Sequence, residues 1–219
     1  MKSYIDIHTH YQGQGTAPDV VNIYSWRIGR EAVPPFPFAA GIHPWDASMS
    51  ANDLFKDVCG CNALAIGEIG LDYSPAHKDN AKIQQDVFYT QLEIASLRGL
   101  PVIIHCVKSF SDTMAALRTH CIPISILHGY IGSIQQAEEA LRNGCFLAFG
   151  PRSLASPKTV EVIRRLPADR MFLETDTNNC DIRDIYARTA EIRSTKTDDL
   201  RLTIYNNFKT VFKHYDRMA

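Results

Sequence analysis

The sequence has no apolar run long enough to cross a bilayer. The longest stretches, such as Leu100 to Cys106, are a few residues long, against the roughly 20 a spanning helix needs. The N-terminus also lacks a basic segment followed by an apolar core and a cleavage site. Together these absences predict a cytoplasmic protein with no membrane partner. A dominant charge is missing too: 23 Lys and Arg stand against 24 Asp and Glu, a formal charge of -1. No global field therefore draws the chain to nucleic acid, and any such binding must be local. The six cysteines (Cys59, Cys61, Cys106, Cys121, Cys145, Cys180) are scattered. The single close pair, Cys59-Gly60-Cys61, fits neither a zinc ribbon nor a redox Cys-x-x-Cys, so buried thiols outside disulfides are expected. There is no internal repeat or low-complexity segment.

What is present is a large apolar fraction, 45% of 219 residues, enough for one sizeable core and a single domain over 1–219. Short β-rich runs bounded by turn residues fall at Tyr4 to Thr9, Val20 to Ser25, Phe38 to Ile42, Ala63 to Gly67, Val102 to His105, Ile124 to Leu127, Phe146 to Phe149 and Met171 to Leu173. Most lack polar alternation, as strands covered on both faces should, and helical patterns intervene from the third onward. This is the grammar of an α/β fold of the (β/α)8 TIM-barrel type. It is distorted at its start. Glycine in Tyr11 to Asp19 and the run Pro34-Pro35-Phe36-Pro37 make regular helices improbable, so outer helices are expected to be missing after the first two strands. Gly13-Gln14-Gly15 has no helix at the required place and reads as a plain loop, not a phosphate loop.

Helix ends are explicit. Lys78 to Arg98 carries Ile83, Val87, Leu92, Ile94 and Leu97 on or near one face and stops at Gly99. Ser133 with Gln136 forms a capping box for Ile134 to Arg142. Ser156-Pro157 opens a helix to Leu166. In the last helix Leu200, Ile204, Phe208, Val211, Phe212 and Tyr215 keep a helical period that packs it on the barrel. Lys56, Lys78, Lys82, Arg98, Arg118, Arg142, Arg164 and Arg165 read as solvated helix sides.

Placed on this framework, the polar residues converge. His8 and His10 share a face of the first strand, roughly 6 to 7 Å apart at Cα. Alone such a pair is weak. Glu68 closes the fourth strand, His105 the fifth and His128 the sixth, and Asp176 follows the eighth, so all six are expected at the C-terminal end of the strands, where barrel enzymes build their sites. Four imidazoles and two carboxylates suffice for two divalent ions, with one carboxylate bridging.

The segments Asp6-Ile7-His8-Thr9-His10, Gly41-Ile42-His43-Pro44, Ala65-Ile66-Gly67-Glu68-Ile69-Gly70-Leu71-Asp72-Tyr73, Pro101-Val102-Ile103-Ile104-His105, Leu127-His128-Gly129 and Leu173-Glu174-Thr175-Asp176 resemble, in order and over nearly the whole chain, the TatD-type metal-dependent hydrolases, relatives of the amidohydrolases. The resemblance implies that His8, His10, Glu68, His105, His128 and Asp176 are metal ligands. It also implies phosphoester hydrolysis, with 3'-5' exonuclease action on DNA or RNA ends among the family's activities. The expected division places His8, His10 and Asp176 on one ion and His105 and His128 on another, with Glu68 bridging. The ions would be Mg, Mn or Zn. Asp176 would be the base that deprotonates the attacking water, with Glu68 the second catalytic carboxylate.

Four stretches depart from the family pattern: Ile7 replaces a small residue, Tyr11-Gln12 replaces Leu-Asp or Leu-Asn, Val107 replaces an arginine, and Asp176-Thr177-Asn178 replaces Asp-x-Pro. Losing that arginine removes a natural phosphate clamp, which Lys108 or Arg152 could replace. His43 is a substrate contact or a loop histidine. Asp72 and Tyr73 support the ligands or merely pack the loop, and Tyr73 is also a candidate substrate contact. Trp26, Trp45 and Tyr11 either stack on a base or cover core. His77, His120 and His214 are read as ordinary. The substrate is a small phosphoester or a nucleic-acid end. The alternatives are a small-molecule amide or ester, or a metal-binding protein whose activity has decayed. Oligomeric state is not legible.

Overall fold

The computed structural model describes residues 3–10, 17–48, 54–122, 124–213 and 215. Eight strands, parallel where they pair, alternate with helices in the order of a (β/α)8 TIM-type barrel. The chain divides into two compact units, Met1–Tyr24 with His128–Ala219, and Ser25–Leu127. No helix among the described residues is long and apolar enough to cross a membrane.

In the first unit β1 (Tyr4–Thr9) pairs with β2 (Val20–Arg27), Tyr4 opposite Val20, and β7 (Phe146–Phe149) pairs with β8 (Met171–Leu173), Leu147 opposite Met171. Their helices are α4 (Ile134–Arg142), α5 (Pro151–Leu154), α6 (Pro157–Arg165), α7 (Ile182–Arg193) and α8 (Thr197–Val211). The capping box at Ser133 and Gln136 forms as its residues require. Ser156 occupies the N-cap of α6, but its hydroxyl accepts from Thr159 Oγ1 rather than from the helix backbone. Of the expected stripe, α8 buries Leu200, Ile204, Phe208 and Val211, Phe212 just after it is buried as well, and Tyr215 is half-buried. The buried Tyr186 hydroxyl fastens α7 to β1, accepting from Ile5 N and donating to Ile5 O, both at 3.1 Å.

In the second unit β3 (Phe38–Gly41), β4 (Ala65–Asp72), β5 (Val102–Val107) and β6 (Ser125–Leu127) pair in sequence order. They are accompanied by α1 (Phe55–Gly60), α2 (Ala81–Arg98) and α3 (Phe110–Thr119). Residues 28–37 contain turns and no helix, as their prolines require. Tyr11, Gln12 and the Gly13-Gln14-Gly15 loop lie outside the described residues, as does His214.

Several expectations are corrected. β4 does not end at Gly67; it runs on to Asp72, so Glu68 stands inside the strand and Asp72 closes it. Gly70 explains the continuation: its φ is 139°, and a Cβ there would sit 2.1 Å from His105 O. Here glycine marks a close approach of β4 to β5 and not a turn. Leu97 is 88% exposed, while Gln84 and Gln91 take places on the buried face of α2. Arg98 is no solvated side chain: it donates to Val58 O at 2.8 Å and Cys61 O at 2.7 Å, closing the end of α1. Of the six cysteines, none of which forms a disulfide, Cys145 alone is buried.

Candidate metal centres

Each unit assembles its own set of donors. In the first, Asp176 lies three residues beyond β8 yet is held against β1. Its N–H donates to His8 O at 2.9 Å, its carbonyl accepts from His10 N at 3.4 Å, and Thr9 and Asp176 form a parallel bridge. This seat requires φ 55° at Asp176, a left-handed conformation that aspartate tolerates better than most residues. The main chain thus sets the carboxylate between the two histidines, with Oδ1 3.7 Å from His8 Nε2 and 3.8 Å from His10 Nε2.

His128 follows β6 and turns its ring to within 4.2 Å of the His8 ring, centre to centre. One donor atom each from His8, His128 and Asp176 lies within 4.8 Å of the others. His128 was expected to pair with His105; within its own unit it keeps company with His8.

Two acids support this set. Asp6, on the same face of β1 as His8, accepts from Thr175 N at 3.0 Å and Thr175 Oγ1 at 2.6 Å. Burial outweighs these bonds and pushes its carboxyl up to about 7. Glu174, buried, accepts from Gly129 N at 2.6 Å, fixing the turn that carries His128, whose Nδ1 is 3.6 Å away. The sequence reading gave neither acid a role, although both stand within matched motifs.

In the second unit the donors join through their side chains. Glu68 Oε1 meets His105 Nδ1 at 2.7 Å and His43 Nε2 at 3.2 Å, and the three donors lie within 4.8 Å of one another. His43 Nδ1 accepts from Trp45 N at 3.1 Å, which leaves Nε2 as the protonated nitrogen that donates to Glu68. Burial holds the His43 ring below the usual histidine range, the neutral form this pattern needs. His43 is therefore suited to holding Glu68, while Glu68 and His105 supply the donors.

His105 Nε2 meets Asp72 Oδ2 at 3.1 Å, so a carboxylate orients the imidazole from behind. Asp72 also accepts from Trp45 Nε1 at 2.8 Å and Ser74 N at 2.8 Å. Burial opposes ionisation of this acid, but the bonds from His105, Ser74 and Trp45 win and hold it well below the usual carboxylate range. His77, read as ordinary, stacks on Trp45 with ring centres 4.9 Å apart.

The other candidate contacts are placed as follows. Lys108 is exposed immediately after β5, with φ 55°. Arg152 is exposed on α5. The Tyr73 hydroxyl donates to Asp112 Oδ2 and accepts from Gln85 Nε2, both at 2.8 Å. With burial leading, its phenol is pushed up to about 12. Trp26 donates to Glu31 O on the surface, and Trp45 is 48% exposed.

Imidazole and carboxylate donors this close could hold a divalent metal ion. Comparison with known proteins agrees with this chemistry. A family model described as TatD related DNase matches residues 14–213. The 3'-5' ssDNA/RNA exonuclease TatD of Dickeya dadantii is 33% identical over 167 residues, covering 71% of this chain and 62% of the relative. Deoxyribonuclease Tat-D of Schizosaccharomyces pombe is 31% identical over 127 residues, 57% of this chain and 41% of the relative. The chain spans about half the length of the curated relatives it matches. Among solved structures, the TatD homolog YjjV of Escherichia coli superposes with a TM-score of 0.79 at 25% identity, covering 96% of this chain and 98% of that one.

Proposed function

The chain belongs to the TatD related DNase family, and on that premise we propose that it is a cytoplasmic, divalent-metal-dependent hydrolase that cleaves phosphoester bonds at a nucleic-acid end. The observation that carries this reading is the seating of Asp176: main-chain bonds to β1 hold its carboxylate between His8 and His10. Nothing in core packing calls for a carboxylate there.

In this reading His8, His10, His128 and Asp176 hold one divalent ion, and Glu68 and His105 hold a second, with Mg, Mn and Zn the candidates. Bound there, such ions lower the pKa of water and offset the charge that develops on a phosphoryl oxygen. Asp176 accepts the proton of the attacking water as the new P–O bond forms, and returns it to the sugar oxygen as the P–O bond to the leaving group breaks. His43, its ring nitrogens bonded to Trp45 N and Glu68, keeps Glu68 in place. Lys108 or Arg152 supplies the phosphate clamp in place of the arginine that Val107 replaces.

The test is a substrate panel with protein loaded with Mn or Mg: labelled single-stranded DNA, a generic phosphodiester, and small amides and lactones. Stepwise shortening of the DNA from its 3' end is expected. Turnover confined to the amides or lactones would move the chain to amidohydrolase chemistry.

A further inference from the structure

α2 carries two buried glutamines seven residues apart, Gln84 and Gln91, two turns along one face and roughly 10 Å apart. Each does the same thing. Gln91 Oε1 accepts from Ile42 N at 2.7 Å and its Nε2 donates to Ile42 O at 3.1 Å. Gln84 Oε1 accepts from Asp72 N at 2.8 Å and its Nε2 donates to Asp72 O at 3.1 Å, with a second bond to His77 O at 2.8 Å. A side-chain amide that meets both the N–H and the C=O of one residue reproduces a rung of a β-ladder.

The rungs fall where the pairing between β3 and β4 stops, while Asp72 keeps its partner Val107 on β5. β3 ends at Gly41, so the buried Ile42 lies one residue past the strand. β4 runs six residues beyond its last registered partner on β3, Ile66 opposite Ala40, and finishes at Asp72. Backbone groups buried without partners there would each cost about 1–3 kcal/mol. Both clamped residues border the donor set: Ile42 precedes His43, which holds Glu68, and Asp72 orients His105.

We infer that Gln84 and Gln91 are positioning residues that extend β3 and β4 by proxy and so set the places of His43 and Asp72 around Glu68 and His105. This deepens the proposed hydrolase reading and rests on it for its kinetic readout. A merely structural pair would lower stability and leave the site's chemistry intact in the folded fraction. A positioning pair also moves the histidines.

The experiment compares Gln84→Met and Gln91→Met with Asn207→Leu, which removes a buried side chain that likewise bonds two carbonyls, Ala168 O and Met171 O, away from either donor set. The two glutamine variants are expected to lower kcat about 10-fold or more and to weaken Mn binding by a similar factor in titration, with KM within about twofold. In metal-free protein labelled with 15N-histidine, the ring signals of His43 should shift for Gln91→Met and those of His105 for Gln84→Met. Asn207→Leu should change neither kcat nor those signals. If the methionine variants do not fold, Gln84→Asn and Gln91→Asn carry the test, since the amide is kept but is one methylene too short to meet both backbone groups. Unmoved ring signals in the folded glutamine variants, with kcat losses no larger than that of Asn207→Leu, would overturn the inference. If the wild type cleaves no phosphoester at all, the functional reading fails while the ring signals still decide the positioning role.

Discussion

The two donor sets are built by opposite means. In the first unit the backbone does the positioning: Asp176 is bridged to β1 through main-chain bonds, and its carboxylate stands 3.7 and 3.8 Å from the histidines, beyond hydrogen-bond length. In the second unit the side chains do it: His43, Glu68, His105, Asp72 and Trp45 form a closed chain of bonds between 2.7 and 3.2 Å. The Asp176 side chain is 24% exposed and that of Glu68 only 4%. Changing the chemistry of Asp176 should therefore leave its seat intact. Removing any link of the second set should disturb the others, because buried polar networks are costly when partly satisfied.

The largest effect should follow Asp176→Asn, with kcat down about 10³-fold and a melting temperature close to wild type, because the main-chain bridge survives. A variant with near-normal turnover would remove Asp176 as the base, and a collapsed melting temperature would contradict the backbone-held seat. Next comes Asp72→Ala, which deprives His105, Trp45 and Ser74 of their acceptor. Both activity and divalent affinity should fall about 10–100-fold, and urea unfolding should show a loss of about 2–3 kcal/mol. Thr175→Val, which removes the hydroxyl on Asp6, should cost about 1 kcal/mol in the same assay. The smallest effect is expected at Leu97→Lys, on the exposed side of α2, within about 0.5 kcal/mol of wild type.

The strands were legible because apolar runs bounded by turn residues carry their own signal, and β1, β7 and β8 have the bounds read from the sequence. β4 was read short because glycine signals both a turn and a close strand approach; only the position of His105 O tells which applies to Gly70. The donors were found by residue type and order. Their supports were not: Gln84, Gln91 and Glu174 act through polar side-chain atoms on backbone groups distant in sequence, and apolar periodicity treats a buried glutamine as an exposed one. Arg98 was misread for a related reason, since the carbonyls it caps lie 40 and 37 residues away.

Crystals of the full chain grown with Mn would give the most direct measurement, the anomalous scattering from the bound ions. The account predicts one peak among His8, His10, His128 and Asp176, and a second beside Glu68 and His105. A single peak with neither Glu68 nor His105 among its ligands would contradict it.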